Sequence, residues 1–347
     1  MRSILFVGGA LETNVALSLH HAASSMGISS TLMDVAKAFA GPKLLRSLHW
    51  RLNDRRPVQI DRFSESVVER CGQSRPEILI ATGIAPLTNS ALRKIATLGV
   101  VRTNFQTDDP WNPAHRSRWY LNALPEYDYV FTPRTATFSQ LRMATAAKLN
   151  YLPFGYDPGL FYPETDASVL AQVDECDVLF GGGADHDRLA SVKRLIDSGL
   201  KLALYGGYWD KHAFAKPFYR GMACAEVLRA AHAKAKVAVG MVRRANRDGN
   251  SMRTYELAAM GASCVMEDTD DHRTLFGPEG EAVLYFSSPQ SLVDKCKLLC
   301  TNEALRSLLA VRVREKAKIG HSYEDRLKSM LTIIHADRTQ PSVVEWS

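Results

Sequence analysis

The sequence predicts an α/β protein made of two doubly wound parallel sheets in tandem. Three observations carry this: short apolar runs alternate with helical patterns, a proline-rich stretch interrupts them once, and the same rhythm then restarts. Uninterrupted apolar strands between helices suit a parallel sheet, because helices cover both of its faces. At 347 residues the chain is long for one core and ordinary for two.

SILFVG (Ser3 to Gly8) reads as the first strand, ending in Gly8 and Gly9, and a helical pattern follows from Glu12 to Met26. A weak strand is expected at Ser30 to Met33. Next comes GPKLLRSLHWRLNDRRPVQIDR, residues 41–62, with six lysines and arginines against two aspartates. Leu44, Leu45, Leu48 and Leu52 share one helical face, with Trp50 beside it and Arg46, Arg51, Arg55 and Arg56 around them. Such a stretch can lie on the anionic inner face of a membrane as a peripheral contact, or grip an acidic acceptor. A surface helix packed by its leucines has the same pattern.

A helix around Phe63 to Cys71 precedes the buried strand EILIATG (Glu77 to Gly83). Then follow a helix at Asn89 to Thr97, strands at Val100 to Thr103 and Asp128 to Pro133, and a helix from Thr135 to about Ala146. Tyr151 to Asp166 holds three prolines and two glycines and reads as a linker. The rhythm returns with strands at Asp177 to Gly183, Lys201 to Gly207, Lys236 to Met241, Ala262 to Glu267 and Ala282 to Phe286. Helices are expected at Arg188 to Asp197, Ala225 to Ala235, Asn250 to Gly261, and on to about His335. The expected domains are 1–155 and 156–325, with a C-terminal helix and tail at 326–347 crossing back to the first.

Hydrophobic residues make up 46% and charged residues 23%, a globular composition. The N-terminal apolar run is too short for a signal-peptide core, and no window approaches the ~18 apolar residues of a membrane span. A cytoplasmic location is expected. The six cysteines show no CxxC pair and read as free thiols. A net charge of +6 is mildly basic, but no aromatic-basic reading surface accompanies it, so nucleic acid is not an expected partner. P-loop, GxGxxG, GxSxG and HExxH signatures are absent, which argues against kinase-like, hydride-transfer, serine-hydrolase and zinc-protease chemistry.

Two stretches carry chemistry. In FGGGADHDR (Phe180 to Arg188), glycines after a strand let backbone N–H groups approach an anion, which makes Gly182 and Gly183 diphosphate candidates, with Arg188 and Lys193 adding charge. In NRDGNSMRTYELAAMG (Asn246 to Gly261), Asn250 or Ser251 can cap a helix ended by Gly261. Arg253 and Glu256 lie three apart, and in isolation they form an exposed ion pair of a few tenths of a kcal/mol. The preceding Arg243, Arg244 and Arg247 change the balance. Cations and free N–H groups suit a diphosphate, Glu256 can accept two ribose hydroxyls, and Asp248 can reach the sugar beyond.

At this point the sequence resembles a known family. Asp248 and Glu256 have the spacing of the two acids in the E-x7-E motif of retaining GT-B glycosyltransferases. LPFGYDPGLFYP, DVLFGGG with a following arginine, NSMRTYELAAMGASCVMEDTDDHRTLF, AVLYFSSPQSLVDK and HSYEDRLKSML are similar in order to the spore-maturation-protein (CgeB-type) group of those enzymes. The likeness spans roughly Tyr151 to Leu331, and the N-terminal half only in rhythm and in TDDPWN. It implies two Rossmann-like domains facing across a cleft, the GT-B fold, and a glycosyltransferase acting with retention. The second domain would hold the nucleotide-sugar donor, with Glu256 on the ribose, Asp248 near the sugar, and Ser251, Met252 and Arg253 facing the diphosphate. Asp248 departs from the motif's glutamate, which leaves the role of the first acid less defined than that of the second. No metal or other cofactor is implied, and Asp268 to Asp270, although it spells D-x-D, reads as a loop, with a metal there the lesser alternative.

On the acceptor side, Gly9 borders the first strand, and TDDPWNPAH places Asp108, Asp109, Trp111 and His115 on one loop. An aromatic among carboxylates suits sugar stacking, and Asp108, Asp109 or His115 could act as a base were the reaction inverting. A proline-rich loop in which Asp109 holds a turn is the equal alternative. The acceptor is open: glycan, lipid, protein or small molecule. A nucleotide-sugar epimerase and a catalytically silent sugar-binding or surface-assembly protein are the rival functions.

Overall fold

A computed structural model describes residues 3–339; the tail expected beyond these lies outside the described residues. The chain divides into two compact units, one running to Pro153 and resuming at Tyr323, the other spanning Phe154–Ser322.

The first unit alternates as expected: β1 (Ile4–Gly8), α1 (Val15–Ser25), β2 (Ser30–Asp34), α2 (Lys43–Leu52), α3 (Ile60–Ser74), β3 (Ile78–Thr82), α4 (Asn89–Thr97) and β4 (Val101–Phe105). It continues through α5 (Arg118–Ala123), β5 (Tyr129–Thr132), α6 (Phe138–Ala144) and β6 (Lys148–Tyr151). The six strands are parallel in the order β2-β1-β3-β4-β5-β6. β1 is buried along its whole length because helices cover both faces, and each large apolar side chain removed from water there contributes about 1.5–3 kcal/mol. β6 was not anticipated. It is an edge strand, KLNY, half in water, so it lacks the apolar signature of its neighbours.

The second unit contains α7 (Ala167–Leu170), β7 (Cys176–Gly181), α8 (His186–Asp197), β8 (Leu202–Tyr205), α9 (Ala225–Lys234) and β9 (Ala235–Gly240). It goes on with α10 (Met252–Ala259), β10 (Cys264–Glu267), α11 (Asp270–Phe276), β11 (Leu284–Phe286), α12 (Pro289–Thr301) and α13 (Glu303–Lys318). Its five strands are parallel in the order β11-β10-β9-β7-β8. The last helix, α14 (Tyr323–Thr339), belongs to the first unit and packs on α1.

The proline-rich segment contains no long element after β6, yet it is not an exposed tether. Phe154, Tyr156, Asp157 and Phe161 are buried within the second unit. Glu164 pairs with Arg229 of α9 at 2.9 Å, and Arg229 also donates to the Leu160 carbonyl and lies 4.1 Å from the Tyr162 ring centre. All six cysteines are free. Among the described residues no helix is long and apolar enough to cross a membrane.

Candidate functional site

In the second sheet the chain leaves β7 for β8 on one side and returns at β9 on the other. Loops diverge at such a switch point, and the crevice at the strand C-termini is where ligands enter parallel α/β sheets. The loops there are Gly181–Asp185 after β7, Met241–Ser251 after β9, and the glycine pair after β8. Both predicted donor segments therefore converge on one place.

The β7 loop is framed by backbone contacts. The Gly182 N–H donates to the Tyr205 carbonyl at 2.8 Å, and its carbonyl accepts the Trp209 indole N–H at 2.8 Å. Gly206, at φ +120, lies so close that a side chain there would press on the Gly182 backbone. This corrects the expectation for Gly182. Its N–H is engaged, and its small size serves close packing.

Arg188 also departs from expectation. It is buried, with its guanidinium donating to the carbonyls of Gly183 (3.2 Å) and Met241 (3.1 Å) and to Asp185 (3.0 Å). Burial lowers its pKa, opposed by Asp185 with smaller help from Glu267 and Asp248, while Arg243 adds to the lowering. A desolvated cation held by three acceptors ties the β7 loop to the end of β9 and is not a free partner for phosphate. Lys193 turns away to Asp197. Arg243, about one-third exposed, reaches Asp185 from the other side at 2.9 Å.

The β9 loop turns through Arg247 in the left-handed region (φ +54), and the Asp248 N–H donates to the Arg243 carbonyl at 3.3 Å. α11 then clamps the loop onto α10. Thr269 donates to the Gly249 carbonyl at 2.7 Å and Asn250 donates to Asp271 at 2.6 Å, while the Phe154 N–H donates to Asn250 at 3.3 Å. His272, fully buried, stands 2.6 Å from the Glu267 carbonyl through Nδ1 and 2.9 Å from Thr254 Oγ1 through Nε2. A carbonyl only accepts, so Nδ1 carries the proton and Nε2 accepts from the Thr254 hydroxyl. Thr254 Oγ1 in turn accepts the Ser251 N–H at 3.1 Å, completing the cap of α10. Burial lowers the His272 pKa, which keeps this relay neutral.

Glu256 is only 3% exposed, so the surface-pair alternative is ruled out. Its carboxylate meets Arg253 at 2.7 Å. Burial pushes its pKa up, Arg253 pulls it down, and Asp157 pushes it up again. The Arg253 guanidinium lies beside Gly181, which brings the ion pair to the switch point. Met252 and Arg253 form the first turn of α10, where helix N–H groups point outward.

His232 of α9 was not singled out by the sequence. It is buried, neither ring nitrogen has a hydrogen-bond partner among the described residues, and burial together with Arg253 pushes its pKa down to about 3. Asp185, Glu267 and Asp271 were likewise missed, because Arg243, Arg244 and Asn250, which they meet, lie far from them along the chain. Asp268 makes a two-pronged pair with Arg273, and Thr269 caps α11. The DTD stretch, expected as loop, thus enters a helix at Asp270.

The first sheet switches between β1 and β3, bringing Gly9 and Gly83 to one end. Gly83 (φ +62) lies beside Thr107 and Asp108, so Asp108 stands at that end too. Asp109 is 2% exposed and its carboxylate accepts the Trp111 N–H at 2.9 Å, holding the turn. Trp111 packs on the core, which leaves it partly buried rather than presented as a free stacking platform. His115 is half-buried. Arg134, missed by the sequence, donates to the Gln106 carbonyl at 3.1 Å and the Thr107 carbonyl at 2.6 Å, bracing this loop.

Residues 187–332 match a family model described as glycosyl transferase-like. No curated protein sequence matches the chain significantly. Among solved structures, sucrose-phosphate synthase from Thermosynechococcus elongatus aligns with a TM-score of 0.71 at 13% identity, covering 97% of this chain and 99% of that one. Anabaena HepE, solved with UDP-glucose, gives 0.63 at 12% identity over 96% and 99%. A protein assigned as a UDP-N-acetylglucosamine 2-epimerase from Listeria monocytogenes gives 0.59 at 12% identity over 98% of each. With two parallel-sheet α/β domains that align over nearly their whole length with such structures, the chain has the fold of the GT-B glycosyltransferases.

Proposed function

We propose that the protein is a glycosyltransferase whose second unit binds a nucleotide-sugar donor. The observation that carries this is Glu256. A carboxylate is held almost out of water in the first turns of α10, at a sheet switch point, with its charge opposed by Arg253. Such a group is placed to accept the two adjacent hydroxyls of a ribose in charge-assisted hydrogen bonds. The α10 N-terminus, with Ser251, Met252 and Arg253, faces the diphosphate, and Arg243 is the cation placed to turn from Asp185 towards it. The helix N–H groups and Arg243 stabilise negative charge as it builds on the leaving nucleoside diphosphate.

Asp248, on the clamped loop, lies next to the donor sugar. Transfer with retention fits the spacing of Asp248 and Glu256. On the acceptor side, Asp108, Gly9 and His115 remain candidates, whereas Asp109 serves its own loop. No metal takes part in this scheme. The architecture is also that of the assigned epimerase, so the products separate the two readings. The protein is incubated with nucleotide sugars and the mixture is followed by NMR. Slow release of nucleoside diphosphate with a free or transferred sugar supports transfer, and an isomerised nucleotide sugar in the absence of any acceptor would overturn it.

A further inference from the structure

α2 lies outside the site just described, and its orientation is the reverse of a packed surface helix. No residue of α2 is buried. Leu44 and Leu52 are 82% and 78% exposed, and Leu45 and Leu48 are 45% and 51% exposed. These four fall within one face of the helix, and that face points to water. The opposite face carries Lys43, Arg46 and Trp50, which with Phe39 and Val58 line a cavity of about 440 Å³ against the body of the unit. Trp50, expected beside the leucines, is on the other side.

This orientation is fixed by the turn that follows. Asp54 and Arg55 adopt positive φ (+49 and +58), a conformation that costs energy unless neighbours hold it. The Arg55 guanidinium donates to the carbonyls of Arg116 (2.9 Å) and Pro113 (2.8 Å), and its centre lies 5.9 Å from the Trp50 ring. Asp54 accepts the Arg118 N–H, and Arg56 pairs with Asp61 at 2.7 Å. Both carboxylates of residues 41–62 are thereby consumed in the turn. α2 itself contains no acid, and Lys43, Arg46 and Arg51 have no ion-pair partner among the described residues.

We infer that α2 docks on an anionic lipid surface, its leucine face entering the headgroup boundary with Arg51 meeting lipid phosphates, while Lys43 and Arg46 add positive potential behind it. An outward apolar stripe with Arg51 among its leucines, on a helix that has no acid and whose Lys43 and Arg46 are also exposed, is the charge and shape complement of such a surface. A second copy of this chain is a poorer occupant, because a two-fold contact sets the same cations against one another. At 10 residues, about 15 Å, the helix lies on a bilayer and does not span it. The inference stands independently of the glycosyltransferase reading.

The test is flotation of the full chain with phosphatidylcholine vesicles, with or without one-third phosphatidylglycerol. The chain is expected to float with the anionic vesicles and remain below with the neutral ones. Leu44→Ser/Leu48→Ser and, separately, Arg46→Glu/Arg51→Glu should each weaken flotation by roughly tenfold or more. Since α2 buries nothing, unchanged melting curves confirm that both variants are folded. No flotation with anionic vesicles, or equal flotation of all three proteins, would overturn the inference. So would self-association without lipid that the serine variant abolishes, which would identify a second copy as the occupant.

Discussion

At the scale of single residues, His232 and Glu256 are both shifted by burial, with opposite consequences. His232 takes a proton near 6.5 in the unfolded chain but near 3 in the fold. Between those values the unfolded state binds more protons, so stability rises with pH, is fully present above about 6.5, and is lost as pH falls toward 3. The urea midpoint should therefore fall between pH 7 and pH 4.5, and His232→Leu should flatten that fall. Parallel profiles for the two proteins would contradict the burial argument. Glu256 has the reverse sign. Burial raises its pKa, so its contribution is present below the ordinary carboxyl value and lost as pH rises through the raised one. Glu256→Gln should accordingly leave the melting temperature at pH 7 unchanged or higher, and a clear drop would show that the ion pair with Arg253 is a structural need. Neither effect was legible in the sequence. Glu256 was singled out by spacing, but its burial arises from packing, and His232 stands in a helix whose pattern gives no sign of a charged neighbour.

At the scale of elements, the sequence reading located nearly every central strand, because apolar runs buried on both faces stand out. It missed β6, where an edge strand is polar, and α11, where the DTD stretch looked like loop although Thr269 caps a helix. That helix matters, since it positions the Asp248 loop and the α10 cap. The clamp predicts a measurable asymmetry. Thr254→Val keeps the shape but leaves His272 Nε2 and the Ser251 N–H without their partner, and should cost about 1–3 kcal/mol in urea denaturation. Thr254→Ser should restore most of it. Equal losses in the two variants would show that the methyl packing matters and the relay does not. Arg188 teaches the same lesson from the other direction. An arginine after a glycine-rich strand end reads as a phosphate ligand, and only the fold shows three internal acceptors around it.

At the scale of the whole molecule, two parallel sheets each carry a switch point, and each switch point is lined by residues the sequence had marked for other reasons. In the second unit these are the Gly182–Gly183 turn, the Asp248 loop and the Arg253–Glu256 pair; in the first they are Gly9 and Asp108. The same strand order that makes the fold legible from alternation makes the site legible from position. The acceptor is less so, because Asp109 and Trp111, its most suggestive residues, hold their own loop and core. The donor site is the central claim, and isothermal titration of the protein with uridine, thymidine and guanosine diphosphate sugars tests it most directly. The account predicts saturable 1:1 binding of at least one donor to the wild-type chain, weakened roughly tenfold or more in Glu256→Gln as charge-assisted hydrogen bonds to the ribose are lost. Binding of none of them, or equal binding to both proteins, would contradict it.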